Sequence, residues 1–160
     1  MRWFTDSDII TNEGLNSCGE PPQENEVKLC EIWIRTYLVK TNKNRELGTS
    51  YRLKHYVENW ARALFDLGIK LKDADNYPIN NECYVSNGAF IQAMKNLKFE
   101  YSLQRGTRVN PYFGAKYNGP YIHEQYIKYI PRNSDEWRTV LSPLLRPITV
   151  ESDRGNGVRS

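Results

Sequence analysis

His55 and Glu58 stand three residues apart in a segment of helical periodicity, and His123 adjoins Glu124. A His–Glu pair at such spacing can share a proton or offer two ligands to a metal. The chain has 2 histidines, and neither stands in a recognisable metalloenzyme string. His55 lies between Lys54 and Tyr56 beside an apolar face, so a hydrogen-bonded structural histidine is the favoured reading. Ser86-Asn87-Gly88 lacks the context of a nucleophile elbow, and no Gly-rich phosphate loop follows a strand. Cys18, Cys30 and Cys83 show no CxxC spacing and no fourth ligand, which disfavours a zinc site and a disulfide framework alike. The chain therefore reads as non-enzymatic, with no catalytic residue, metal or cofactor.

Two sets of side chains suit binding. Asn87, Gln92, Lys95 and Asn96 are expected to face outward from one helix, and Asn and Gln can read adenine edges. Lys98, with Arg105 and Arg108 at a loop tip, could meet phosphates. The second set is aromatic: Tyr112, Phe113, Tyr117, Tyr121, Tyr126 and Tyr129 crowd beside Lys116, Lys128 and Arg132. Tyr is large, rigid and amphipathic, so this cluster suits a protein interface. It could also stack single-stranded bases, or simply pack on the core with its hydroxyls outward. Nucleic acid and a host protein or nucleoprotein complex are thus both open as partners.

These residues need elements to position them. Residues 1–24 hold Gly14, Gly19, Pro21 and Pro22 among polar residues, and read as an arm. Asn25 is placed to cap a helix running to about Lys40, with Val27, Cys30, Trp33, Ile34, Tyr37 and Leu38 on its buried side. Ser50 stands as the cap of a second helix, whose inner face is traced by Leu53, Tyr56, Val57, Trp60, Ala61, Leu64 and Phe65. Its outer face is expected to carry the ladder Lys54, Glu58, Arg62, Asp66, and Gly68 to end it. After a long polar connection over 69–83, Ser86 or Asn87 caps a third helix that ends near Lys98 and buries Phe90, Ala93, Met94 and Leu97. Phe99 to Leu103 and Val109 to Ala115 alternate as the strands of a hairpin, with Pro111 confining the second to an edge. Residues 121–130 lean towards helix, and Ser134 caps a short last one.

In order along the chain stand Trp33-Ile34, Lys40-Thr41, Ser50-Tyr51-Arg52-Leu53-Lys54-His55 with Glu58, Tyr84-Val85-Ser86-Asn87-Gly88-Ala89-Phe90-Ile91 with Ala93-Met94, and Asn110-Pro111-Tyr112-Phe113. The series resembles a family of small open reading frames of bacteriophages, prophages and other mobile elements. The family has no assigned activity, so the resemblance implies a setting and no mechanism. Arg52 departs from it, since Gly usually follows the Ser-Tyr pair there.

With 160 residues and 39% hydrophobic content the chain suits one domain. Residues 1–31 carry seven acidic and two basic side chains, a net of −5 that leaves +8 for the remainder of a chain of formal charge +3. The expected organisation is an acidic arm over 1–24, a globular domain over 25–146 and a frayed tail over 147–160. The expected fold class is α+β, mainly helical, with a small β-hairpin and at most a winged-helix likeness. No segment reads as a membrane span or signal peptide, so a cytoplasmic protein with no membrane partner is expected. Two functions follow from different classes. One is nucleic-acid binding through helix 86–98 and hairpin 99–113; the other is a protein-binding inhibitor of a host complex, of the anti-defence or anti-CRISPR type, using the Tyr-rich 112–129 surface or the acidic arm.

Overall fold

The computed structural model describes residues 1–42, 47–66, 68, 71, 72, 79, 84–103, 106 and 108–118. Among the described residues it is an α+β fold of three helices and small two-stranded antiparallel sheets. In chain order these are β1 (Ile10–Thr11), β2 (Gly14–Leu15), α1 (Glu24–Tyr37), β3 (Leu38–Lys40), α2 (Ser50–Asp66), α3 (Asn87–Asn96), β4 (Tyr101–Ser102), β5 (Tyr112–Phe113) and β6 (Ala115–Tyr117). The expected elements within 121–146 and the tail lie outside the described residues.

α3 is the central pillar, lying against α1, α2 and the β1–β2 hairpin. A run of aromatic rings ties the layers together. Trp60 of α2 meets Tyr37 of α1 at 6.2 Å, Trp33 meets Phe90 of α3 at 6.0 Å, and Phe90 meets Phe113 of β5 at 5.8 Å. Such pairs add about 0.5–1.5 kcal/mol each beyond the area they bury.

α1 begins one residue before Asn25 and ends at Tyr37 rather than Lys40. Its first turn holds Glu24 and Glu26, which offset the positive end of the helix dipole. It stops early because Leu38 turns extended and Leu38–Lys40 pairs with Ala115–Tyr117. In α2, Ser50 is the first helical residue and not a side-chain cap. Its N–H donates to the Pro111 carbonyl at 2.9 Å, and the Thr49 carbonyl accepts the first helical bond from Leu53. Gly68 has φ +78° and donates to the Phe65 carbonyl, the left-handed exit that favours glycine.

α3 has the expected cap, Ser86, whose Oγ accepts from Ala89 N–H at 3.1 Å. It leaves through a Schellman turn, in which Phe99 N–H donates to the Met94 carbonyl and Lys98 N–H to that of Lys95. Lys98 therefore sits at φ +65°, where a side chain is strained.

Two expectations are corrected here. The first twenty residues are not a loose arm. Arg2 and Tyr101 exchange both backbone hydrogen bonds at 2.9 Å, Phe4 stacks on Tyr101, and Leu15 is fully buried. The β1–β2 hairpin also seats on the start of α3, where a Cβ at Gly88 would overlap the Thr11 carbonyl. Nor does Val109–Ala115 run as one strand. Pairing with β4 is confined to Tyr112–Phe113, and after Gly114 the chain leaves to pair with β3.

Two measurements test this account. Lys98→Gly should raise unfolding free energy by about 1 kcal/mol in urea titration, because glycine adopts the left-handed exit without strain. The second concerns Asp8. Burial raises its pKa, but hydrogen bonds from the Thr5 backbone, Tyr101 and Asn16, with the charge of Arg2, outweigh burial and hold it below the usual 3.8. A depressed carboxylate contributes stability above its unfolded pKa that is lost as pH falls through the folded one. Asp8→Asn should accordingly flatten the stability decline seen below about pH 5.

Candidate nucleic-acid interface

The structure separates the α3 set. Asn87 is 6% exposed and faces inward. Its Nδ2 donates to the carbonyls of Glu13 and Val109 and to Asn110 Oδ1, and its Oδ1 accepts from Ser50 Oγ at 2.7 Å. An amide with both ends engaged has nothing left for a base edge, so its expected role is withdrawn. Gln92 donates to Asn96 at 2.8 Å and Asn96 donates to Glu31 at 2.8 Å, a chain that ends on a carboxylate. Lys95 reaches the Thr5 carbonyl at 3.4 Å. Lys98 and Arg108 are exposed, whereas Arg105 lies outside the described residues.

The aromatic set also divides. Phe113 is a core residue and cannot line a surface. Tyr112 and Tyr117 are half-buried in β5 and β6, and Tyr121, Tyr126 and Tyr129 lie outside the described residues. Among the described residues no group of acidic, His or Cys side chains could hold a metal ion. Cys18 and Cys30 are free thiols. Burial, and then the charges of Glu26, Glu31 and Glu58, push the Cys30 thiol well above its ordinary pKa, which suits an inert core residue.

The N-terminus of α3 is no anion site, although helix starts commonly are. Gly88 N–H donates to the Asn12 carbonyl and Ala89 N–H to Ser86 Oγ. Just before the helix, Val85 N–H donates to Glu58 Oε2 at 3.0 Å and Ser86 N–H to Glu26 Oε1 at 2.8 Å.

That arrangement corrects the α2 ladder. Lys54 and Glu58 are each 7% exposed, not solvated. Positions four apart on a helix advance about 40° around it, so the ladder winds from beneath the Tyr84–Ser86 chain at Lys54 into solvent at Arg62 and Asp66. Glu58 collects Val85 N–H, Lys54 Nζ at 3.2 Å and His55 Nδ1 at 2.8 Å. Its charge is spent inside.

What remains outward on α2 is a different set. Tyr51, Arg52, Asn59 and Arg62 are exposed and His55 is half-buried. At about 100° per residue they occupy one side of the helix, and Arg52 to Arg62 spans about 15 Å. Arg52 donates from Nε to Tyr56 Oη at 3.0 Å, and Arg62 donates to Asn59 Oδ1 at 3.3 Å. Phe65, expected inside, is exposed near the far end with Asp66. The face thus offers two guanidiniums, an imidazole and an amide, with its one acid at the C-terminal end. Sequence reasoning missed it by reading the ladder as the outer face; the signal available was that Arg52, His55, Asn59 and Arg62 are the polar residues left when a tightly paired Lys54–Glu58 is removed.

No protein-family model, curated protein or solved structure matches the chain.

The Asn87 node is testable apart from any ligand. Asn87→Ala leaves a buried hydroxyl and three acceptors unmet and should cost about 2–4 kcal/mol in urea titration. Asn87→Asp should be worse, because it sets a carboxylate against two backbone carbonyls. Equal stability of Asn87→Asp and the parent chain would contradict the inward amide.

Proposed function

We propose that this is a non-enzymatic nucleic-acid-binding protein of a phage or mobile element, acting in the cytoplasm and gripping a duplex through the outer face of α2. One observation carries the reading: Arg52, His55, Asn59 and Arg62 are turned outward together while the carboxylate in their midst, Glu58, is turned inward and neutralised. Arg reads guanine bidentately and Asn reads adenine, and either Arg can instead hold a phosphate. A 15-Å stretch of helix with such side chains matches the reach of a recognition helix in a major groove. Exposed Arg108 offers a further phosphate contact from the loop before β5. The setting rests on the resemblance of the Ser50–Glu58 and Tyr84–Met94 strings to mobile-element frames. No helix among the described residues is long and apolar enough to cross a membrane.

The contact is thereby placed on the exposed Arg52–Arg62 side of α2 and not on α3, where Asn87 is buried. Fluorescence anisotropy with random-sequence duplex DNA and duplex RNA tests it. Binding should weaken steeply between 50 and 200 mM salt, as counterion release requires (about 0.9 per phosphate in the logarithmic slope). Arg52→Ala with Arg62→Ala should lower that slope by about 1–2 units with the circular dichroism spectrum unchanged. Absence of binding to both duplexes at low salt would overturn the proposal and direct attention to a host protein as the target.

A further inference from the structure

Tyr51 and Tyr84 are more than half exposed, at 53% and 59%, yet neither ring is loose. Lys54 Nζ stands over both, 5.6 Å from the Tyr51 centroid and 5.0 Å from that of Tyr84. The ammonium is itself fixed by Glu58 at 3.2 Å with its side chain 8% exposed. His55 meets Tyr51 edge-on, with ring centroids 4.7 Å apart. Two rings from separate segments, one on α2 and one before α3, are therefore held about a single buried cation.

A Tyr that serves only the core buries its ring and shows its hydroxyl. Here more than half of each residue is exposed while Lys54 Nζ stands over each ring, so a partner stacking on them meets rings already positioned. The cluster sits at the N-terminal end of the same helix face that carries Arg52 and Arg62. A flat π-system beside a cationic helix is the pairing that stacks nucleobases next to held phosphates.

We propose that Tyr51 and Tyr84 form a stacking site for an unpaired nucleobase, so that the preferred ligand is a duplex carrying a single-stranded overhang or junction rather than a blunt duplex. The inference rests on the duplex-binding reading and extends it, since bases within a duplex are already stacked on their neighbours whereas an unpaired base is free to stack on a ring. It concerns bases of any identity, because every base has a π-face.

The test uses the full chain and two probes: a blunt duplex, and the same duplex with a short overhang carrying 2-aminopurine at its first unpaired position. The overhang should bind at least about fivefold more tightly, with quenched 2-aminopurine emission. Tyr51→Ala with Tyr84→Ala should abolish the preference and the quenching, and Tyr84→Ala alone, which lies off the α2 face, should weaken both while leaving blunt-duplex affinity in place. Tyr51→Phe with Tyr84→Phe should retain both, because the ring and not the hydroxyl does the stacking. Equal affinity for the two probes with no quenching overturns this inference and leaves the duplex reading standing. Failure to bind either probe overturns both. Should the double Ala variant not fold, the parent chain's preference and quenching decide the matter, with the Phe pair as the second variant.

Discussion

A single buried amide holds together segments that are far apart in the chain. Asn87, the first residue of α3, bonds at once to the start of α2, to the turn between β1 and β2, and to the loop leading into β5. Around it the backbone donors at the head of α3 find partners in Asn12, Ser86, Glu26 and Glu58. In a low-dielectric interior a network with every member satisfied is specific, and a missing member is costly. Small elements such as two-residue strands are marginal alone. Here they are held in register by bonds that converge on one helix end.

This constraint decides which surface is left for recognition. A helix whose first residue, Asn87, is buried in this network and whose flanks carry α1, α2 and a hairpin does not present its start to a ligand. β4 and β5 share two residue pairs before the chain turns away to β3. Among the described residues α2 packs against α3 and α1, and its Arg52–Arg62 side, the proposed contact face, is exposed.

Much of the fold could be read locally. The spacing of Leu53, Val57, Trp60 and Leu64, the exit at Gly68, and the Ser86 cap are properties of residues a few positions apart, and the periodicity of buried residues reports them. The failures are all long-range. Nothing near Thr11 announces that it will lie against α3. The hint was Gly88, a glycine in the first turn of a helix, where close approach of another backbone is the usual reason. Residue type is a poor guide to exposure at Asn87, because an Asn with partners for both ends of its amide is well suited to a polar core. At Lys54 and Glu58 the expectation of exposure follows from the rule that charged residues seldom bury. They do when paired, and three donors around one carboxylate meet that condition.

Lys54 joins the interior to the proposed interface. Its ammonium is needed by Glu58, which in turn holds the Val85 N–H and so the approach to α3. The same ammonium lies over Tyr51 and Tyr84. A cation–π contact is worth about 0.5–2 kcal/mol according to how far it is desolvated, which favours the positions the two rings take around Lys54. A lysine is a compact point charge that can face a carboxylate and two rings from one atom. An arginine would spread its charge over a plane and demand bidentate geometry. The stability of the α2–α3 junction and the display of the aromatic pair thus depend on the same atom, so the residue that quenches the inward acid also presents the outward rings.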